Sequence, residues 1–483
     1  MSFRRSFFKN VITLGGYNYG SQILNFLSSI VLSRLLLPEE YGFVALIMVF
    51  TGFIIIFADA GLSYAVIRSD YGRTYQKVLQ SLSIWIGIGL SILLILLAYP
   101  IALFYGDMEL VIPTIFTSLL FVTKSLSIIP VAILSKNLDF NFLGKAKMSE
   151  TIISITLMII LALLGFSYWS LIIAQVFSPL ALFFMARYRL NFGFYIYNWK
   201  FIKFGFQKTK SLIGNITGFN IINYWARNAD NLIIGKFYGS ASLGIYNRAY
   251  RMLQLALTLI TGLFGTVLYP SLKDLESKGG NINKEYANIL GVISILSFPI
   301  ALVLILFPDT IVYVLWGNNW MKVANLLPYF GLLIISQTLL STNGSVFVLL
   351  NKERMVMLLG GITSVILVFS IVIGSLISVE GVAVFYALGY IGLVLPISVY
   401  YSFYKSFGFE VREIINFWTP KFVLSLSVLF SLWFRIEWLK LLSMLLLMIH
   451  IIYYQRNDIR SFTRLIKENL AKRKSIKDTK NGK

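Results

Sequence analysis

The chain has 483 residues, of which 57% are hydrophobic and 13% charged, and a net charge of +21 from 42 Lys plus Arg against 21 Asp plus Glu. Soluble proteins carry about 25% charged residues; a self-buried core cannot explain the deficit at this length, whereas a lipid solvent can, because apolar side chains are then stable on the outside too. The absence of cysteine excludes disulfides, thiolate chemistry and cysteine-held metals, and the basic residues lie in short segments between apolar runs rather than in a basic folded domain, which argues against nucleic acid as a partner.

The N-terminus, MSFRRSFFKN, leads into an apolar stretch too long for a signal peptide and without a small-residue cleavage site, so it reads as the flank of a retained first helix. A membrane-spanning helix takes about 20 mostly apolar residues. Breaking the sequence at charges, Pro and Gly gives fourteen such stretches: 11–33, 43–66, 78–103, 111–135, 148–165, 168–186, 211–235, 243–270, 288–307, 323–350, 355–377, 381–403, 418–434 and 438–455. The connections Gly165–Ser167 and Ser378–Glu380 are so short that their flanking spans must be antiparallel hairpins. Tyr195–Lys210 alternates aromatics with Lys, and it and the segment around Gly408–Asn416 read as interfacial amphipathic elements on anionic lipid. The tail from Arg456 reads as an unstructured basic tail at the membrane surface.

The positive-inside rule tests the count. With the inter-span segments numbered alternately, the N-terminal side collects 32 basic residues and the opposite side 5, namely Arg34, Lys236, Lys322, Arg435 and Lys440. Adding or removing one span would destroy that split, so an even number of helices with both termini in the cytoplasm is expected.

An internal repeat emerges at an offset of 202, which carries Arg34 onto Lys236, Gly42 onto Gly244, Gly16 onto Gly218 and Asn18 onto Asn220. A second match pairs Tyr99–Gly106 with Phe307–Gly317. The offset carries span one onto span seven in the same orientation, so the repeat is parallel. The fold class expected is all-α integral membrane: fourteen transmembrane helices, two pseudo-symmetric six-helix bundles around a central cavity, and two appended C-terminal helices. The corresponding segments are an N-terminal bundle over 1–194, the amphipathic linker 195–210, a C-terminal bundle over 211–403, helices 13 and 14 over 404–455, and the tail 456–483.

An ionisable residue at bilayer depth costs at least about 2.5 kcal/mol, so such residues point to a site. The basic ones are Lys124, Arg227, Arg248, Arg251 and Lys421; the acidic ones are Asp59 and Asp230. At 1.5 Å per residue, Arg227 and Arg251 lie roughly 12 Å from the outer face and Arg248 about one turn shallower. Arg248 and Arg251, three apart, share a helix face, and Asp230 can pair with Arg227. The excess of guanidinium groups suits phosphate, which their planar fork binds bidentately. The alternative is structural, with these arginines snorkelling to the interface or tying spans seven and eight together. Lys124 lies mid-span, where snorkelling is hardest. Asp59 is read either as a cap or partner within the first bundle or as a proton- or Na⁺-coupling carboxylate. Lys421, near the cytoplasmic end of span thirteen, is expected to snorkel. No metal site is expected. With no soluble domain, loop carboxylate pair, His cluster or phosphate-cradling Gly loop, enzyme chemistry is not supported.

The run ARNADNLIIGKFYGSASLGIYNRAYRMLQL (Ala226–Leu255), with SRLLLPEEYGFVAL and FADAGLSYAVIRS, resembles the Wzx-type polysaccharide flippases of the multidrug/oligosaccharidyl-lipid/polysaccharide (MOP) exporter superfamily, especially colanic-acid and teichuronic-acid-type members. The resemblance runs from about Phe8 to Tyr454. It implies two lobes with a cationic cavity in a bacterial inner membrane, and an undecaprenyl-diphosphate-linked oligosaccharide as substrate, moved from the cytoplasmic to the outer leaflet. It also implies ion coupling by H⁺ or Na⁺ without a cofactor, and polysaccharide polymerase and chain-length machinery as partners. Arg227, Asp230, Arg248 and Arg251 lie in the matching motif as a cavity cluster; Lys124 and Asp59 match in position and polarity. A drug or lipid-II exporter of the same superfamily is the nearest alternative, and the cationic excess argues against cationic drugs. A membrane polymerase or ligase needs a large outer loop, and the longest outer segment here is about Pro308–Lys322.

Overall fold

Backbone polar groups in a bilayer have no water to bond, so long apolar runs close their hydrogen bonds internally as helices. The computed structural model follows that rule. It describes residues 3–454 apart from 60, 69–71, 194, 196, 198, 266 and 267; at 3–12, 199–223, 226, 263, 265 and 454 the backbone alone is described. The protein is an all-α membrane protein. Among the described residues ten helices are long and apolar enough to cross a membrane: Pro38–Arg68, Arg73–Tyr105, Met108–Lys136, Phe140–Leu163, Trp169–Leu190, Ile282–Leu306, Leu327–Leu349, Glu353–Ser375, Val379–Phe407 and Val411–Trp433. The other four stretches expected to span fall in helices too: 11–33 in Phe3–Leu35, 211–235 and most of 243–270 in the long element Trp199–Gly265, and 438–455 in Glu437–Tyr454.

Packing gathers the chain into two units, Met1–Asn247 with Val312–Met321, and Arg248–Ile311 with Lys322–Lys483. The first unit begins with α1 (Phe3–Leu35). The second expected span is interrupted: α2 (Pro38–Ile54), α3 (Ile56–Asp59) and α4 (Leu62–Arg68) follow one another, with Gly61 at φ 78° in the gap. Next come α5 (Arg73–Tyr105), α6 (Val111–Thr117), α7 (Leu119–Lys136), α8 (Phe140–Leu163) and α9 (Trp169–Leu190). Helix α7 packs on α4, α5 and α9, with Leu62, Val66, Leu79, Ile129 and Ile133 in a shared core, and α8 packs between α1 and α9. The fifth span starts eight residues earlier than the hydropathy suggests, because Asp139 caps α8 by accepting from the Phe142 amide at 3.4 Å. Lys145 and Lys147 therefore stand on a helix, not in a loop, and Glu150 lies well inside it.

Helix α10 (Trp199–Gly265) is broken only at Gly239, whose φ 76° and ψ −176° turn the chain into a hairpin with arms 199–238 and 240–265. The first arm takes in 199–210 of the expected linker and continues without interruption into the seventh span. The side chains of that linker from 198 onward lie outside the described residues, as does the tail 456–483.

Residues matched by the repeat make crossed contacts within this unit. Gly42 and Gly244 approach so closely that a methyl group on Gly42 would strike the Ser240 carbonyl, and one on Gly244 the Pro38 carbonyl. Arg34 donates to Tyr313 O (3.3 Å) and Val314 O (2.8 Å), at the C-terminal end of α13 (Pro308–Trp316), and Lys236 donates to Phe104 O at the C-terminal end of α5. Both helices then close on glycines in the left-handed region, Gly317 and Gly106. Two of the five basic residues on the sparsely charged side are thus helix C-terminal caps.

The second unit holds α11 (Leu268–Ser277), α12 (Ile282–Leu306), α14 (Leu327–Leu340), α15 (Asn343–Leu349), α16 (Glu353–Ser375), α17 (Val379–Gly389), α18 (Leu395–Val399), α19 (Val411–Trp433) and α20 (Glu437–Tyr454). Helix α12 packs on α14, α16 on α17, and α19 on α20. The expected surface element at 408–416 is not separate: Glu410 stands at the N-cap of α19, and 411–416 are its first turns.

Candidate functional site

The first arm of α10 is set by aromatic packing on α2. Trp225 meets Phe50 and Phe53 at centroid distances of 6.4 and 5.0 Å, and the Tyr224 hydroxyl donates to Val49 O at 2.5 Å. Two residues on, Arg227 is exposed. Arg251, in the second unit, is exposed as well, and each arginine lies twelve residues from Gly239, about 18 Å along its helix. A guanidinium held against hydrocarbon costs about 2.5–3.5 kcal/mol, which makes these two exposed arginines candidates for a site.

The other two members of the motif behave differently. Arg248 is buried at 4% exposure although it lies only about 60° around the helix from the exposed Arg251. Asp230, 3% exposed, forms no ion pair with Arg227. Its carboxylate instead accepts from the Tyr246 hydroxyl at 3.1 Å and from the Asn231 amide at 2.8 Å. Asp230 and Tyr246 stand on opposite arms of α10, so this buried bond pins the hairpin that carries Arg227.

Asp59 accepts from the Ser63 amide at 2.9 Å and so caps α4 across the interruption at Gly61. Lys124 is exposed on α7, whose neighbouring positions Thr123 and Ser125 are buried. Lys421 departs from expectation: rather than snorkelling it is 2% exposed, donates to Phe417 O at 2.8 Å and lies 3.6 Å from the centroid of the Phe417 ring. A carbonyl and an aromatic face on its own helix make that burial tolerable.

Sequence reasoning missed Glu150, which lies within electrostatic reach of Lys124 and Lys147. Reading α8 from 148 placed it at a helix end. The signal that could have moved the start was Asp139 just ahead of FNFLG, a helix N-cap type.

A family model for polysaccharide biosynthesis proteins matches residues 31–325. The chain belongs to that family. It is 28% identical over 312 residues to the teichuronic acid biosynthesis protein TuaB of Bacillus subtilis, covering 63% of this chain and 62% of that one. It is 24% identical over 326 residues to the succinoglycan biosynthesis transport protein ExoT of Rhizobium meliloti, covering 66% and 63%. The matched region thus spans less than two thirds of these relatives. Among solved structures, the lipid II flippase MurJ in an inward closed conformation superposes with a TM-score of 0.68 at 16% identity, over 93% of this chain and 100% of that one. An inward-facing multidrug resistance transporter of the MATE family, from the MOP superfamily, gives 0.59 at 14% identity, over 82% and 96%. At such identities the likeness establishes the fold, that of the MOP superfamily, in agreement with the resemblance read from the sequence.

Proposed function

We propose that the protein is a flippase, a transporter and not an enzyme, that moves undecaprenyl-diphosphate-linked oligosaccharide repeat units from the cytoplasmic to the outer leaflet of a bacterial inner membrane for surface polysaccharide biosynthesis. The observation that carries this reading is the exposure of Arg227, Arg251 and Lys124 within stretches expected to span the membrane. Family membership and the names of TuaB, for teichuronic acid biosynthesis, and ExoT, for succinoglycan biosynthesis transport, support it. In this reading the Arg227 and Arg251 guanidiniums are each suited to bidentate contact with the diphosphate, and Lys124 and Arg248 are further cationic candidates. The prenyl chain stays in lipid while polar and aromatic walls take the sugars.

The working cycle is alternating access by fourteen helices with both termini cytoplasmic, coupled to H⁺ or Na⁺ through Asp59 or Asp230. Asp59→Asn keeps a capping oxygen and removes only the charge, so it isolates coupling from folding. Partners in this reading are the lipid-linked substrate, membrane lipids, and the polysaccharide polymerase and chain-length machinery.

A fluorescent polyprenyl-diphosphate oligosaccharide in liposomes tests the proposal. With the purified chain present, the inner-leaflet label becomes accessible to an external quencher. Accessibility no faster than in empty liposomes contradicts it. Faster movement of lipid II than of other oligosaccharides favours the exporter alternative.

A further inference from the structure

The α7–α8 hairpin carries a charge cluster of which the flippase reading uses only Lys124. Lys124 lies twelve residues before Lys136 at the end of α7, and Glu150 ten residues after Phe140 at the start of α8. At 1.5 Å per residue both stand about 15–18 Å from the turn that joins the helices, so they share one level. Lys147 precedes Glu150 by three residues and is its neighbour on the helix surface. The Glu150 carboxylate is within electrostatic reach of both ammonium groups. Lys124 is exposed, whereas Lys147 and Glu150 are half-buried. Across α1, α7, α8 and α9, Glu150 is the sole Asp or Glu.

We propose that Glu150 is an exchangeable counter-ion: in the empty site it is shared between Lys124 and Lys147, and an anionic phosphate of the substrate displaces it from Lys124 onto Lys147. The identity of the anion rests on the flippase reading. Two consequences follow from charge alone. Lys124 is never left unbalanced in the membrane interior when the site is empty, where an isolated charge is unfavourable. The returning carboxylate also competes with the phosphate, which weakens binding and speeds release at the far side. No proton is required, because Glu150 keeps a lysine partner in both states.

The test is binding of farnesyl diphosphate to the purified full-length protein, with variants compared at equal amounts of folded protein by size-exclusion chromatography. Glu150→Gln should tighten Kd on the order of tenfold, a typical weight for one close charge pair, and slow transport. Lys147→Met should weaken binding, because Glu150 then has only Lys124. In a Lys124→Met background, Glu150→Gln should change nothing. An unchanged Kd in Glu150→Gln, or a shift of the same sign in both single variants, overturns the proposal. Modification of the Lys124 amine by a water-soluble succinimidyl ester, read by peptide mass spectrometry, needs no ligand and should rise in Glu150→Gln. If the wild-type protein binds no farnesyl diphosphate but labelling still rises, the flippase reading and the exchange with phosphate both fail while the ion pair stands. If labelling does not rise, the counter-ion itself is refuted.

Discussion

Gly42 and Gly244 lie 202 positions apart, yet each packs against the residue four places before the other, Gly42 on Ser240 and Gly244 on Pro38. A reciprocal approach of this kind is what local two-fold symmetry requires of equivalent residues, and these were paired by the offset alone. The caps repeat the pattern, since Arg34 and Lys236, also 202 apart, each hold the carbonyl end of a helix from the other repeat.

The close approach predicts a steric penalty. Gly42→Ala or Gly244→Ala forces a methyl group into backbone that cannot rotate away, and overpacking of this kind costs about 1–3 kcal/mol. Thermal unfolding in detergent should show a lowered Tm for both, whereas Gly89→Ala, which meets nothing within 4 Å, should not lower it. A wild-type Tm for both Gly42→Ala and Gly244→Ala would contradict the geometry.

The crossed caps predict a smaller loss. A cation on a helix C-terminus contributes about 0.3–1 kcal/mol when exposed. Arg34→Gln and Lys236→Gln should each lower Tm by a few degrees at most, and Arg34→Lys should lie between wild type and Gln. A larger effect of Arg34→Lys than of Arg34→Gln would exclude capping as the cause.

Hydropathy made the helical architecture legible because lipid leaves long apolar stretches one way to satisfy their backbone. It placed even the stretches at 148–165 and 168–186 on helices. What it could not show was where polar turns continue a helix. Lys145 and Lys147 looked like loop residues because charge lowers mean hydropathy whether or not the backbone is helical, so Glu150 stood at a helix end and was overlooked. The cationic positions were legible as sequence, but their exposure was not: Arg248 and Arg251 stand three apart, and only tertiary packing decides that one is buried and the other open. Asp230 was expected beside Arg227 on helical spacing, and the competing partner, Tyr246, comes from the far arm of a hairpin that spacing cannot reveal.

That hairpin bond gives a third prediction. Tyr246→Phe leaves the buried Asp230 carboxylate without its hydroxyl donor, which should cost about 1–3 kcal/mol. Asp230→Asn should be milder than Asp230→Leu, since an amide oxygen still accepts from Tyr246. A double-mutant cycle between Tyr246→Phe and Asp230→Leu, read by Tm, should show strong coupling; additive effects would mean the two do not support each other.

The central claim is that Arg227 and Arg251 face water and bind phosphate. Removing either guanidinium should cost about 1.5–3 kcal/mol of binding, a factor of roughly ten to a hundred in affinity. Lys should rescue only in part, because a point charge cannot reproduce the bidentate fork. The most direct measurement is complementation of surface polysaccharide by the Arg227→Ala, Arg251→Ala double variant, normalised to its level in the membrane. The account predicts no surface polysaccharide at a normal protein level; full polysaccharide from the double variant would contradict it.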